Sequence, residues 1–195
     1  MQTRLKNRKE QIVCVALDLL QTHGFENFSY LDIANQLDIT KASIHHHFPK
    51  KELLGVALCQ AIQAWHMQEF EKILLSNTTA LEKLDAYING MLRLSCGRNK
   101  ICPLSSLQVD VTSLTESMQQ ALKTMDEQEL AFIEQILEQG RREKRFVFVG
   151  DAKDQAVLTV LACKGALQYS RVHGHSIFDQ TLQQIYVLLG VQTIS

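Results

Sequence analysis

The sequence predicts an all-α protein of about nine helices, and its composition and patterning support this fold class. Hydrophobic residues make up 46% of the 195-residue chain, enough to bury a sizeable core. Only two prolines and nine glycines interrupt the chain, so few positions force a turn. The long segments between them are rich in Leu, Ala, Gln, Glu and Lys, with apolar residues recurring at helical spacing.

The first helix is predicted at residues 5–23, and the fold needs it because the two short helices that follow cannot enclose a core alone. Its apolar stripe comprises Leu5, Ile12, Ala16, Leu19 and Leu20. Gly24 stands where a C-terminal cap is expected. We expect Phe25 and Phe28 to bury the corner that comes next.

A helix–turn–helix pattern occupies residues 29–53. Ser29 is a suitable N-cap for its first helix, and Asp32 completes an acidic variant of the capping box. Thr40 is a suitable N-cap for the second helix, which is predicted at residues 41–48. The pattern therefore predicts two short helices joined by a tight turn.

The second of these helices has two different faces. Ile44 and Phe48 lie four residues apart, so they share one face and can anchor the helix. The opposite face is polar, and it comprises Lys41, Ala42, Ser43, His45 and His46. Such a face is typical of a helix whose N-terminal end enters the major groove of DNA. The spacing alone leaves a second interpretation open, namely two surface helices that have no partner.

The segment resembles the DNA-binding domain of the tetracycline-repressor (TetR) family of bacterial regulators. The matching residues are Asp32-Ile33-Ala34, Ile39-Thr40, Ile44-His45-His46-His47-Phe48 and Lys51-Glu52-Leu53-Leu54. Two positions depart from the family pattern. Asp38 replaces the turn glycine, although Asp tolerates the left-handed conformation better than most residues do. His45 replaces a tyrosine that contacts phosphate in the family.

The resemblance implies a DNA-binding transcriptional regulator, usually a repressor, and not an enzyme. It implies an N-terminal three-helix bundle at residues 1–55 and a helical effector-binding and dimerisation domain at residues 56–195. With the spacing, it assigns DNA binding to Ser29, Tyr30, Ile39, Thr40, Lys41, Ala42, Ser43, His45, His46, His47 and Lys51. The expected partners are double-stranded DNA, a small-molecule effector and a second copy of the chain.

The charge distribution is uneven, although the formal net charge is only −1. That net charge argues against a general polyanion binder. Residues 1–55 carry a net charge of +1, and the first nine residues contain basic but no acidic side chains. This basic arm, with Lys50 and Lys51, can supply phosphate contacts, or it can be a solvated chain end.

The sequence indicates a cytoplasmic protein. No signal peptide and no membrane-spanning run is visible, so we expect no membrane partner. Five cysteines are an odd number, so we expect no disulfides.

Six further helices are predicted after the helix–turn–helix. Their expected ranges are 49–76, 80–95, 104–111, 114–139, 152–171 and 177–189. Pro49 suits a first turn, and Gly140 suits a helix end. Thr78 or Thr79 is expected to cap the helix at 80–95, and Asp151 the helix at 152–171.

The C-terminal part carries a second resemblance. Cys102-Pro103-Leu104, Leu107 and Gly140 are similar to a TetR subgroup that includes repressors of the LmrA and YxaF kind. The helix at 152–171 also contains several small residues, which suit close packing against a second subunit: Ala156, Val160, Ala162, Gly165 and Ala166. In the resembled family the last two helices form a four-helix dimer interface. A symmetric dimer predicts a near-palindromic operator, with recognition helices about 34 Å apart.

The effector site is expected among aromatic, methionine and cysteine side chains. The candidates are Trp65, Phe70, Tyr87, Met91, Cys102, Met125, Phe132 and Tyr169. Few charges fall on the predicted inner faces, so a largely apolar molecule is favoured. The alternative is that these residues are simply core.

Cysteine chemistry offers a second route to regulation. Cys102 precedes a proline at a helix start, where the helix dipole lowers the pKa of a thiol, and Cys96 could resolve an oxidised Cys102. The alternative for Cys102 is a small buried hydrophobe. We expect Cys14, Cys59 and Cys163 to lie in the core.

Three other function classes are less favoured. A metal site at His45, His46 and His47 fails because consecutive helical residues point about 100° apart. The sequence carries no cofactor motif. A cysteine-based redox enzyme on a helical scaffold would need a CxxC pair, which does not occur. A helical adaptor that binds only protein does not account for the basic arm and the polar helix face.

Overall fold

The computed structural model describes residues 7–95 and 100–191, with only the backbone of residues 94 and 95. This part of the chain contains nine α-helices and one 3-10 turn, Val111–Ser113. The helices are α1 (Arg8–His23), α2 (Tyr30–Leu37), α3 (Lys41–His47), α4 (Lys51–Leu75), α5 (Ala80–Ser95), α6 (Pro103–Val109), α7 (Glu116–Arg142), α8 (Ala152–His173) and α9 (Ser176–Leu188). The predicted all-α fold is confirmed. None of the described helices combines the length and the apolarity that a membrane span requires.

The described residues divide into two compact units. Unit 1 contains residues 7–65 and 103–124, and unit 2 contains the remaining described residues. Both α4 and α7 supply residues to each unit. The division of roles between residues 1–55 and 56–195 concerns function, and it stays a prediction.

Unit 1 is built on α1 and the helix–turn–helix. The side chain of Asn7 caps α1 by accepting a 2.9 Å hydrogen bond from the Glu10 amide. Gly24, with a φ of 87°, ends α1 as predicted, and its amide donates to the Leu20 carbonyl. Fully buried side chains line this unit, and they include Ile12, Leu20, Ile33, Ile44, Leu54, Leu58 and Leu104.

The local signals of the helix–turn–helix are confirmed. The Ser29 side chain accepts from the Leu31 amide, and the Asp32 carboxylate accepts from the Ser29 amide at 2.7 Å. Asp38 adopts the left-handed conformation, with φ and ψ both at 51°, so an aspartate does form the turn. Thr40 caps α3 by accepting a 3.2 Å hydrogen bond from the Ser43 amide.

Two predicted helix boundaries are wrong, the start of α4 and the end of α7. Pro49 was expected in the first turn of α4, but α4 begins at Lys51, after a bend at Pro49. Gly140 was expected to end α7, but α7 continues to Arg142. A Cβ at Gly140 would lie 2.1 Å from the Phe146 ring, so glycine serves here to admit this buried ring.

Unit 2 has a single large core, to which α5, α7, α8 and α9 all contribute. The predicted caps are present, since Thr79 accepts from the Glu82 amide and Asp151 accepts from the Asp154 amide. The prediction that the small residues of α8 face a second subunit is wrong for three of the five. Ala156, Val160 and Ala166 lie in the core of unit 2, because they allow the neighbouring helices of the same chain to pack closely.

Candidate functional site

The polar face of α3 is open to solvent, and we call it the reading face. Its exposed residues are Lys41, Ala42, His45 and His46, and its half-buried residues are Ser43 and His47. On the opposite side Ile44 is fully buried and Phe48 is 3% exposed, so these two residues anchor α3 in the core of unit 1. The polar side chains of α3 can therefore reach the edges of base pairs in a major groove.

Two other residues of the predicted DNA-binding set, Tyr30 and Ile39, are less accessible. Tyr30 is buried, and its hydroxyl donates a 2.7 Å hydrogen bond to the Phe48 carbonyl. Burial, with a smaller contribution from Glu52, raises the pKa of Tyr30 to about 12. Tyr30 thus fixes the end of α3, and the His45 ring packs edge-on against it at 4.8 Å. Ile39 is half-buried, while Ser29 is exposed and bonded to Asp32.

Lys51 makes contacts inside unit 1. Its ammonium donates a 2.6 Å hydrogen bond to the Phe28 carbonyl, and it lies over the rings of Phe25 and Phe28 at 4.9 and 4.6 Å. Burial lowers the pKa of Lys51, although nearby acidic groups, Glu26 first, oppose this effect. This geometry points to a structural role and does not support the phosphate contact assigned from the sequence.

The exposed basic residues of unit 1 remain available for phosphate. Arg8, Lys9, Lys41 and Lys50 are all open to solvent. Arg4 and Lys6 of the basic arm lie outside the described residues. Among the residues that the structure covers, no three His, Cys, Asp or Glu side chains are grouped to bind a metal ion.

Unit 2 contains a group of polar side chains within its core, which we call the buried polar cluster: Tyr87, Asp126, Glu129 and Lys164. Glu129 is 3% exposed and accepts a 2.8 Å hydrogen bond from the Tyr87 hydroxyl. Its other carboxylate oxygen lies 2.6 Å from the Lys164 ammonium, and Asp126 lies 3.7 Å from the same ammonium. The cluster therefore places an ion pair inside an apolar core.

The electrostatics of the cluster follow from burial and this ion pair. Burial is the largest single effect and lowers the pKa of Lys164, but Glu129, Cys102 and Asp126 together outweigh it, so the net shift is upward. Burial, with the adjacent Glu129, raises the pKa of Tyr87 well above its usual value. Nearby His66 has a lowered pKa, because burial disfavours its charged form more than Glu129 favours it. These shifts keep Lys164 charged, and Tyr87 and His66 neutral, near neutral pH.

Aromatic rings lie beside the cluster. Phe70 and Phe132 are stacked with centroids 4.1 Å apart, Tyr87 lies 5.7 Å from Phe132, and His66 is stacked on Phe70 at 5.5 Å. Five of the predicted effector residues are buried in unit 2: Phe70, Tyr87, Met91, Met125 and Phe132. Trp65 and Tyr169 do not join them, since they are 40% and 62% exposed.

Glu129 and Lys164 are not among the site residues predicted from the sequence, although the sequence contains a signal for both. Glu129 lies four residues after Met125 and three before Phe132, on the apolar stripe of α7. Lys164 lies four residues after Val160 on the core side of α8. A charged residue at a stripe position indicates a buried, paired group. Few charges do face inward, but Glu129 and Lys164 are among them.

The cysteines differ in their surroundings. Cys102 is 7% exposed and belongs to unit 2, where its charge would interact with Lys164 and Tyr87. Burial raises the pKa of Cys59 to about 11 and that of Cys163 to about 12, which agrees with core positions. Cys14 was expected in the core but is exposed. Cys96 lies outside the described residues.

Comparison with known proteins agrees with this geometry. Residues 12–58, which include α2 and α3, match the family model for bacterial regulatory proteins of the tetR family. The chain is 26% identical to the HTH-type transcriptional repressor NemR of Escherichia coli K12 over 161 residues, or 81% of each protein. The likeness to the LmrA and YxaF subgroup stays a prediction.

Solved structures share the whole fold. A TetR transcriptional regulator from Legionella pneumophila superposes with a TM-score of 0.86 at 27% identity, covering 97% of this chain and all of that one. The reduced form of Escherichia coli NemR superposes with a TM-score of 0.83 at 21% identity, covering 97% of this chain and 100% of that one. These relatives are regulators and not enzymes, and nothing supports the redox-enzyme alternative. Residues 12–58 therefore form a TetR-family N-terminal DNA-binding domain, and the chain is homologous to the TetR regulator NemR.

Proposed function

We propose that the chain is a homodimeric repressor that binds a near-palindromic operator and leaves it in response to a signal received in unit 2. The observation that carries the proposal is the exposed reading face of α3, held by buried Ile44 and Phe48. That NemR is named a repressor favours repression over activation. We expect the protein to act in the bacterial cytoplasm, where its operator lies.

The dimer is proposed to form through α8 and α9. Exposed residues of α8 follow one another at intervals of three or four, which places them on one face: Leu158, Leu161, Gly165, Tyr169 and Val172. On α9, Val187 and Leu188 are 68% and 54% exposed. Apolar surface of this kind usually marks an interaction site. A symmetric pairing would hold two reading faces at a fixed spacing.

The signal is proposed to be a small molecule or a modification of Cys102. A ligand near the buried polar cluster would meet the rings of Phe70 and Phe132 together with the Glu129–Lys164 pair. It would therefore carry both an apolar body and a polar group. By preferring a conformer that binds the operator poorly, it would lower DNA affinity through population shift.

Selection of bound sequences from a random DNA pool, followed by fluorescence anisotropy, tests DNA recognition. We expect a near-palindromic consensus and affinity that falls steeply with salt, because phosphate binding releases counterions. Ser43→Ala and His46→Ala should relax sequence preference by about 1–3 kcal/mol at the contacted base pair. If no sequence is enriched, or if both variants keep the native preference, the reading face is assigned wrongly.

Sedimentation at micromolar concentration tests the dimer. We expect a dimer for the native chain and a monomer for Leu161→Glu, because the introduced charge would be buried in the interface. Leu75→Glu, which changes an equally apolar and exposed residue at the end of α4, is the matched control and should remain dimeric. A native monomer would contradict the proposal.

Labelling with maleimide, followed by mass spectrometry and anisotropy, tests the cysteine route. Exposed Cys14 reports that the reagent is active, and buried Cys59 reports that the fold stays intact. If Cys102 is the sensor, its labelling should parallel loss of DNA binding in the native chain, and Cys14→Ser should lose binding in the same way. If Cys102 stays unlabelled while dilute hypochlorite also leaves binding intact, regulation through this thiol is excluded.

A further inference from the structure

The corner between α1 and α2 has backbone amides that no helix satisfies. The Phe25 amide donates a 2.6 Å hydrogen bond to a carboxylate oxygen of Asp110, and the Glu26 amide lies 3.4 Å from the same oxygen. Asp110 is 85 residues beyond Phe25 in the chain, directly after α6. Hydrogen bonds to an ionised carboxylate are about twice as strong as bonds between neutral groups. A residue outside the helix–turn–helix therefore fixes its first corner.

Gly24 makes room for this carboxylate. Its φ of 87° is one that side-chain-bearing residues rarely adopt, and a Cβ there would lie 3.1 Å from the Asp110 oxygen. The glycine thus ends α1 and leaves space for Asp110 beside the Phe25 amide.

The position of Asp110 is fixed because α6, the helix that precedes it, is hydrogen-bonded to α1. Ser106 is 2% exposed, and its hydroxyl donates a 2.6 Å hydrogen bond to the Leu20 carbonyl. Leu104 and Leu107 on the same helix are fully buried. Since α6 is held at Leu20, its following residue cannot drift away from Phe25 without disturbing a packed helix.

The corner leads directly to the DNA-reading elements. On the other side of the corner, the Lys51 ammonium donates a 2.6 Å hydrogen bond to the Phe28 carbonyl. Ser29 then begins α2 as its N-cap. Tyr30, the first residue of α2, is bonded to the Phe48 carbonyl at the end of α3. A shift of the corner would therefore move α2 and, through Tyr30, the end of α3.

We propose that Asp110 is a positioning residue for DNA binding, whose carboxylate sets the corner from which α2 and α3 project. The proposal rests on DNA recognition by these two helices. It makes the end of α6 part of the DNA-binding machinery, although Asp110 touches no DNA in this scheme.

Asp110→Ala and Asp110→Asn test the proposal by anisotropy on the selected operator. We expect Asp110→Ala to lower DNA affinity by about tenfold, because it removes a charge-assisted bond that fixes the corner. The slope of affinity against salt should stay native, because no phosphate contact is lost. Asp110→Asn keeps one acceptor oxygen. Its DNA affinity should therefore fall between that of the native chain and that of Asp110→Ala, and its fold should be retained.

The matched control is Asp151→Ala, which removes an aspartate bonded at 2.8 Å to a backbone amide in unit 2. It should lower thermal stability without changing DNA affinity by more than about twofold. Hydrogen exchange at the Phe25 and Glu26 amides gives a readout independent of DNA, and it should accelerate in both Asp110 variants only.

Native affinity in Asp110→Asn and Asp110→Ala, or unchanged exchange at these amides, would overturn the positioning role. If the native chain bound no DNA, the proposed function would fail, while the exchange data would still show whether Asp110 holds the corner.

Discussion

The two units use polar side chains in opposite ways. In unit 1 the polar contacts lie at helix ends and corners, where Ser29, Thr40 and Asp110 bond backbone amides. In unit 2 the Glu129–Lys164 pair lies inside the core, beside stacked aromatic rings. A contact at a helix end costs little desolvation, whereas a buried pair must offset a large desolvation cost. Single substitutions should therefore have much larger effects in the core of unit 2 than at the surface of unit 1.

Breaking the buried pair is expected to have the largest effect on stability. Lys164→Met would leave Glu129 charged and unpaired, lowering the free energy of unfolding by about 3–5 kcal/mol in urea titrations. Adding Glu129→Leu should recover part of that loss, because no buried charge then remains, while the buried Tyr87 hydroxyl loses its acceptor. Lys153→Met, at an exposed site on the same helix, is the control and should change stability by less than about 0.5 kcal/mol. A Lys164→Met chain as stable as the control would show that the comparison of the units is wrong.

Replacing two glycines of unit 2 by alanine is expected to have the next largest effects on stability. At Gly140 an added Cβ would meet the Phe146 ring at 2.1 Å, so Gly140→Ala should destabilise the protein by about 1–3 kcal/mol. At Gly90 the nearest atom lies 3.9 Å away, so Gly90→Ala should stabilise α5 by up to about 1 kcal/mol. Thermal unfolding of both variants measures the difference. Equal shifts in the two variants would mean that Phe146 moves aside.

Local signals predicted the fold well, because they depend on a few neighbouring residues. The capping box at Ser29, the left-handed Asp38 and the range of α5 were all read correctly from short stretches. Gly140 was read wrongly because its role depends on Phe146, which reaches it only through the tertiary fold.

The candidate sites show the same limit. The reading face could be predicted because one helix supplies all of it. The bond between Asp110 and Phe25, and the pair of Glu129 and Lys164, each join elements far apart in sequence. For Lys51 the motif indicated a basic residue but not the direction of its side chain, which the Phe28 carbonyl determines.

Adjacent lysines test whether surface charge and internal contact can be separated in unit 1. Lys50 is exposed, whereas Lys51 is bonded to the Phe28 carbonyl. If Lys50 contacts phosphate, Lys50→Met should reduce the salt slope of operator binding by about one. Lys51→Met should keep the native slope and lower affinity by up to about tenfold, because it releases one side of the corner. A reduced slope in Lys51→Met would restore the phosphate contact assigned from the sequence.

The smallest expected effect is a dependence of stability on pH that arises in the core of unit 2. Burial lowers the pKa of His66, so the folded chain keeps this ring neutral where the unfolded chain, with an ordinary pKa of about 6.5, binds a proton. The unfolded state then holds more protons, so the stability contributed by neutral His66 is complete above about pH 6.5 and is lost as pH falls.

His66→Gln should flatten this dependence between about pH 7 and pH 5 in urea titrations. His66→Phe keeps a ring in place to stack on Phe70 but cannot titrate, so it separates lost packing from lost protonation. Both variants should show the same flattening, whatever their stability at neutral pH. Curves that run parallel to the native curve would place the pH dependence elsewhere and leave the Glu129–Lys164 pair as the main electrostatic feature of this core.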